Sequence, residues 1–343
     1  MGKTFILLDS QNLFHRQINM APASPIDEVV GLSLHMILTS MKKEFTTFNA
    51  DHAVVFLDGH SWRKDVYPEY KLNRKLLYAQ KTDKEKEEHQ VLQEAFDDFI
   101  QYLIDKTNIT VIKNPSAEAD DMISIFVESH PNDKHILISS DSDFIQLLRY
   151  DNFTLYDPIK DIQIKREGVF NDNSKRLAFT INASAKIKVG EVDELFVPED
   201  KWYEYALFLK CIRGDKSDNI FSAYPGVREK GTKTTIGIRE AYNDINKGYA
   251  WNNFMMQRYM HHSGVEKRVK EAYEFNKDLI DLTLIPNHIK EKSLEIIKEA
   301  TSTKNVPSLE VGMAFMKYVG KCGLQKIGNN SKDFMPLLNS KYN

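Results

Sequence analysis

The sequence predicts an α/β domain on a mostly parallel sheet, followed by a region of helices. Three observations lead there. Short apolar runs alternate with longer helical patterns through the first 160 residues, the signature of strands joined by helical crossovers. Four of those runs finish in aspartate, among them Asp9, Asp58 and Asp141. From Trp202 onward the apolar spacing is mainly helical.

The strand candidates are 4–9 (TFILLD), 52–58 (HAVVFLD), 109–113 (ITVIK), 135–141 (HILISSD) and 153–157 (FTLYD), with helical patterns near 27–45, 84–106 and 117–129 between them. The charged run KTDKEKEEH, 81–89, reads as the solvated start of a helix. Within 165–192 the stretch RLAFTINASAKIKVGEV alternates around Asn182–Ser184, which predicts an inserted hairpin. The helical part breaks at 214–232, at Pro286 and near Pro307. The expected organisation is therefore an α/β unit over 1–160, an insertion and linker over 161–200 and a helical region over 201–343, packed on one edge of the sheet.

At 343 residues, 42% hydrophobic and 28% charged, the chain has the composition of a globular protein with one or two cores. No segment approaches the roughly 20 apolar residues of a membrane span. MGKTFILLDS has no small-residue cleavage site and reads as a first strand, and Gly2 is not followed by the Ser or Thr a myristoylation signal needs. Cys211 and Cys322 are too few for a disulfide framework or a cysteine metal site, so a reducing, cytoplasmic setting is expected.

The acids supply the chemical lead. Asp9, Asp58, Asp141 and Asp143 stand at strand ends, the carboxyl edge where open α/β sheets bind ligands. SAEADDMI adds Glu118, Asp120 and Asp121, and IRGDKSDNI adds Asp215 and Asp218. Any one of these alone is an ordinary turn or cap residue. Nine together raise the ionisation cost of one another unless cations sit among them. Oxygen donors without Cys or a His pair suit Mg²⁺ or Mn²⁺ rather than zinc. His15, His60 and His261–His262 are read as structural.

Setting the nine acids aside turns the net charge from −3 to +6, so the remaining surface is basic. Arg63, Lys64, Lys71, Arg74 and Lys75 cluster in WRKDVYPEYKLNRK, and Arg228, Lys230, Lys233 and Arg239 in GVREKGTKTTIGIR. Such runs are often plain solvated faces. Beside metal ions, with Tyr70 as a stacking ring, they compose a phosphodiester site.

DGHSWRKDVYPEYKLNR, EADD, SSDSDF and GDKSDNI, in this order after Asp9, resemble the phage and bacterial 5′-nucleases. That family includes the flap endonucleases, the 5′-nuclease domain of bacterial DNA polymerase I and T-even phage ribonuclease H. The likeness covers roughly 4–245 and continues more weakly through KDLIDLTLIPNHI and KYVGKCGLQKI. It implies a PIN-like 5′-nuclease fold, with a helical arch near 60–100 and a helix-hairpin-helix-like module near 203–245. It also implies two Mg²⁺ ions, one among Asp9, Asp58, Glu118, Asp120 and Asp141, the other among Asp143, Asp215 and Asp218, with Asp121 in support. Lys71 and Arg74 match positions that contact the scissile phosphate. Tyr70 matches a position that steers a single strand, and Arg63, Lys64 and Lys75, with Gly226, Arg228, Lys230, Gly231 and Lys233 of the hairpin, are read as nucleic-acid contacts.

The activity implied is that of a 5′-3′ exonuclease and flap endonuclease that leaves 5′-phosphates and removes RNA primers from nicked or flapped duplexes during lagging-strand replication. In PGVREKGTKTTIG, Arg228–Lys230 replace the second tight turn of the family hairpin, which bears on whether it holds K⁺. A non-catalytic branched-DNA binding protein and a PIN-type ribonuclease are the rival readings. The end of the chain, DFMPLLNSKYN, either docks on its own domain or serves as a peptide for a sliding clamp or another replication partner such as a single-strand-binding protein.

Overall fold

The computed structural model describes residues 2–10, 12–14, 25–191, 201–246, 248–261, 263–302 and 304–342. His15, His262 and the 192–200 part of the expected linker lie outside the described residues. The five apolar runs form β1 (Thr4–Asp9), β2 (His52–Leu57), β3 (Thr110–Lys113), β4 (Lys134–Ile138) and β5 (Phe153–Asp157). They pair in parallel in the order β3-β2-β1-β4-β5. The order reverses between β1 and β4, and a reversal of this kind opens a crevice at the carboxyl ends of the strands. Asp9 ends β1, Asp58 follows β2, and Asp141 follows β4.

The sheet does not stop near 160 as expected. β6 (Ile162–Lys165), β7 (Gly168–Asn171) and β8 (Arg176–Leu177) continue it antiparallel from β5. Asp161 and Gly168 take positive φ, 54° and 142°, so the chain doubles back at once and each new strand pairs with its predecessor. The hairpin expected around Asn182 is present as β9 (Phe179–Ile181) and β10 (Ile187–Val189), and the Asn182 carboxamide oxygen accepts from the Ser184 and Lys186 N–H groups.

The first half carries helices α1 (Ile26–Thr47), α2 (Arg63–Val66), α3 (Leu72–Ala79), α4 (Asp83–Lys106) and α5 (Ala119–Ser129). Thr82 and Glu85 form a capping box at the start of α4, so the charge run is its solvated first turns. The second half carries α6 (Trp202–Arg213), α7 (Ile238–Asn243), α8 (Tyr249–Met256), α9 (Val269–Ile280), α10 (Asn287–Ser302) and α11 (Ser308–Lys321). α10 and α11 begin directly after Pro286 and Pro307, where the missing N–H is harmless. A short antiparallel pair, β11 (Arg258–Met260) and β12 (Glu266–Arg268), interrupts these helices. Strands this short carry too little alternation to be read.

The helical region does not sit on one edge of the sheet. Phe5 and Leu7 of β1 face a core shared with α5, α6 and α10, whereas Ile6 and Leu8 face one shared with α1, α4 and α11. Strand alternation gives the sheet two apolar faces, and later helices cover parts of both.

The tail docks on its own domain. Phe334, Leu337 and Leu338 are buried, and the Leu338 carbonyl accepts from Asn108 N–H at 2.8 Å. Tyr342 stacks on Phe5 with centroids 5.3 Å apart. The apolar side chains a clamp peptide would offer are thus spent inside the protein.

Beneath the tail, His52 donates from Nδ1 to the Ser340 carbonyl at 3.0 Å, and its Nε2 lies 2.8 Å from the Thr110 hydroxyl. Burial pushes His52 and His135 down from the ordinary 6.5 to about 4. Between those values the unfolded chain binds more protons than the folded one, so stability is full above pH 6.5 and falls as the pH drops towards 4. Thermal melting across that window should show a flatter acid-side decline in His52→Gln/His135→Gln than in the wild type. An unchanged slope would assign the decline to other groups.

Candidate active site

Eight of the nine acids line one cavity of about 630 Å³: Asp9, Asp58, Glu118, Asp120, Asp141, Asp143, Asp215 and Asp218, together with Lys71 and Arg74. Each arrives by a local structural rule. Asp58 accepts from Ala119 N–H at 2.8 Å, so a carboxylate at the end of β2 caps the exposed amides at the start of α5. The Asp141 carboxylate accepts from Asp143 N–H at 3.0 Å and starts the 3-10 turn Ser142–Arg149. Asp215 and Asp218 stand on the tight turn after α6, where Asp215 and Ile220 exchange backbone hydrogen bonds of 2.9 and 2.7 Å. Ser217 donates to Asp215 from both its N–H and its hydroxyl.

Carboxylate oxygens of Glu118, Asp120 and Asp121 lie within 4.8 Å of one another. Asp121, wholly buried, is turned away from the cavity and receives both arms of Arg63 and the Trp62 indole N–H. Asp120 lines the cavity and is pushed well above the usual carboxylate range by desolvation, with Asp121 and Glu118 adding repulsion. Burial works against ionisation of Glu118 as well, but Lys71 and Arg63 outweigh it and bring that carboxyl down to about 2.

The segment expected to form the arch places its basic residues unequally. No residue of α3 is buried. Lys71, just before it, takes a left-handed conformation (φ 56°). From there its N–H donates to the Asp218 carbonyl at 2.9 Å and its ammonium pairs with Glu118. The Arg74 guanidinium is 2.6 Å from Asp218. Lys75 is exposed and Lys64 half-buried.

Two residues read as nucleic-acid contacts are interior. Arg63 is 2% exposed and braces Glu118, Asp121 and the Leu279 carbonyl. Tyr70 is 3% exposed, with its hydroxyl 3.0 Å from Glu118 and 2.9 Å from Asp218, so it donates to one of them at a time and presents no open stacking face. A basic or aromatic side chain beside a carboxylate cluster gains more from turning inward than from solvent.

In the helix-hairpin-helix-like module, α6 and α7 flank a loop in which Arg228, Lys230, Lys233 and Gly226 (φ 75°) are exposed. The Glu240 carboxylate accepts from the N–H groups of Gly231 and Gly237, both at 2.9 Å, and closes the longer second turn. A Cβ on Gly231 would meet the Thr235 carbonyl oxygen at 2.3 Å, which is why glycine stands there. Arg239, grouped with the basic run, is buried against Glu229.

Sequence reasoning missed Lys210. From the buried face of α6 its ammonium pairs with Asp143 and reaches Asp215 at 2.8 Å, and it is the main reason Asp215 sits at about 2 despite partial burial. A lone lysine in the apolar run of WYEYALFLKCIR, five residues before Asp215, was the available signal. Lys210→Met should melt earlier than the wild type without divalent cations and gain more from added Mg²⁺, because the acids then lack their internal counterion. Equal Mg²⁺ stabilisation of the two proteins would refute that role.

The donor set fits hard divalent cations: carboxylates from five separate segments, no Cys or His among them, repulsion offset in part by Arg63, Lys71 and Lys210, and space at the crevice. Among the described residues no helix is long and apolar enough to cross a membrane.

Residues 4–174 match the family model of the 5′-3′ exonuclease N-terminal, resolvase-like domain. The chain is 26% identical over 336 residues to ribonuclease H of Enterobacteria phage T4, covering 90% of each. It is 28% identical over 253 residues to the flap endonuclease Xni of Psychromonas ingrahamii, covering 72% of this chain and 80% of that one. Among solved structures, the bacteriophage T5 flap endonuclease in complex with DNA and metal ions superposes with a TM-score of 0.58 at 20% identity, over 87% of this chain and 99% of that one.

Proposed function

Since the chain belongs to the 5′-3′ exonuclease family through residues 4–174, we propose that it is a divalent-metal-dependent 5′-nuclease that cuts phosphodiesters at branch points and nicks. The observation that carries this reading is the single cavity at the strand-order reversal, lined by eight carboxylates with Lys71 and Arg74 at its edge.

In the proposed mechanism Asp9, Asp58, Glu118, Asp120 and Asp141 would hold one Mg²⁺, and Asp143, Asp215 and Asp218 would hold a second. When bound, the cations supply Lewis-acid polarisation of a phosphoryl oxygen and of the attacking water. Lys71 and Arg74, paired with Glu118 and Asp218, exchange those partners for the phosphate and stabilise charge that builds on it. Arg63 and Tyr70 hold Glu118 in place. Lys210 orients Asp143 and Asp215. Lys64 and Lys75 beside the arch, and Gly226, Arg228, Lys230, Gly231 and Lys233 of the hairpin, grip the duplex backbone, with K⁺ at the hairpin as a further proposed ligand. A grip on phosphates is indifferent to sugar type, so RNA primers and DNA flaps are both proposed substrates. The products are 5′-phosphates, and the proposed role is primer and flap removal in replication.

The test offers the protein a 5′-flap duplex, a nicked RNA–DNA hybrid and an unstructured RNA in Mg²⁺, with end-group analysis of the products. Cutting of the first two near the junction, leaving 5′-phosphates, is expected. Preferential cutting of unstructured RNA would replace this reading with that of a PIN-type ribonuclease.

A further inference from the structure

On the far side of the wall that bounds the acid cavity lies a second cleft, of about 470 Å³, with Tyr67, Phe221, Tyr259, Lys267 and Phe275 among its lining residues. We propose that this cleft is a nucleobase subsite, which takes one unstacked nucleotide of the substrate's single-stranded branch. The inference rests on the nuclease reading above and adds a place where the branch is recognised.

Four observations support it. First, Phe221 and Phe275 are 41% and 40% exposed, although large aromatic rings are costly to leave in water, and both border this cleft. Second, the rings meet edge-on. Tyr67 and Phe275 are 5.4 Å apart at 90°, and Phe221 and His261 are 6.0 Å apart at 78°. An edge-on pair uses a face of only one of its two rings.

Third, the cleft and the acid cavity share one wall. The Tyr67 hydroxyl donates to the Asn219 carbonyl at 3.0 Å, and the Asn219 carboxamide donates to the Glu69 carbonyl at 2.8 Å. Lys71 N–H donates to the Asp218 carbonyl at 2.9 Å. The two segments so joined present Lys71 and Asp218 to the acids on one side, and Tyr67 and Phe221 to the aromatic cleft on the other. Asn276, buried behind the wall, donates to the carbonyls of Cys211 and Phe221 and fixes the backbone that carries the Phe221 ring.

Fourth, the charges are mixed. Lys267 lines the cleft together with Glu69 and Glu271. A phosphate track would be uniformly basic. With Glu69 and Glu271 against one lysine, the exposed rings and not the charge would hold a base, and stacking on rings tolerates every base.

The experiment places 2-aminopurine at successive positions of the unpaired strand of a flap duplex and reads its fluorescence on binding in EDTA. One position should be quenched by the wild-type protein. In Phe221→Ala/Phe275→Ala the quench should disappear, and the ratio of affinity for flap over blunt duplex should fall about 10-fold, the equivalent of one lost base stack. Phe275→Tyr should keep the quench, and thermal melting establishes that the double variant is folded. The proposal fails if no position is quenched by the wild type, or if the folded double variant keeps both quench and ratio. A protein that shows the quench yet cuts nothing supports the subsite and removes the nuclease reading.

Discussion

Asp143→Asn is expected to slow single-turnover cleavage of a 5′-flap duplex in Mg²⁺ by about 100-fold or more, while the dissociation constant for the same duplex changes little. The amide keeps the shape of the side chain and removes one negative charge from a cavity of eight carboxylates. The lost charge weakens the hold on divalent cations and leaves Lys210 with Asp215 as its remaining partner in that pair of contacts. The basic residues proposed to grip the duplex backbone are untouched, and repulsion of the substrate phosphates is slightly relieved. Measuring rate and affinity in one preparation separates the two. Cleavage at the wild-type rate would remove Asp143 from the chemistry.

Arg63→Ala should be the most destabilising single change near the site. The guanidinium is 2% exposed, gives both arms to Asp121, donates to Glu118 at 3.0 Å and to the Leu279 carbonyl at 2.7 Å, and lies 4.8 Å from the Trp62 ring centroid. Its removal leaves Asp121 wholly buried without its cation, a circumstance that costs about 3–5 kcal/mol. Arg63→Lys should recover little, because an ammonium cannot reproduce the planar fork. Urea unfolding of the three proteins tests this. A loss below about 1 kcal/mol, the size typical of exposed pairs, would mean that the brace is dispensable.

The central sheet was legible because a strand covered on both faces must be apolar along its whole length, as β1, β2 and β4 are. The acids at their ends were legible because nine carboxylates in five short motifs exceed what turns and caps call for. The inward turn of Arg63 and Tyr70 was not, since sequence gives charge and ring but not the direction in which a side chain on a short helix or turn points. Lys210 was hidden among core residues, although its isolation in an apolar stretch marked it. β6 to β8 escaped because strands of two to four residues joined by turns of two to four residues look like linker. The tail was legible as apolar, and only the packed structure shows where it docks: Leu338 at Asn108, Ser340 at His52 and Tyr342 on Phe5.

The measurement that tests the account most directly is single-turnover cleavage of a 5′-labelled flap duplex by the wild-type protein, in excess EDTA and then after addition of Mg²⁺ to the same reaction. The carboxylate cavity predicts no cutting in EDTA and prompt cutting near the junction once Mg²⁺ is added. Cutting at full rate in EDTA, or tight binding without cutting in either condition, would contradict the assignment of this cavity as a metal-dependent nuclease centre.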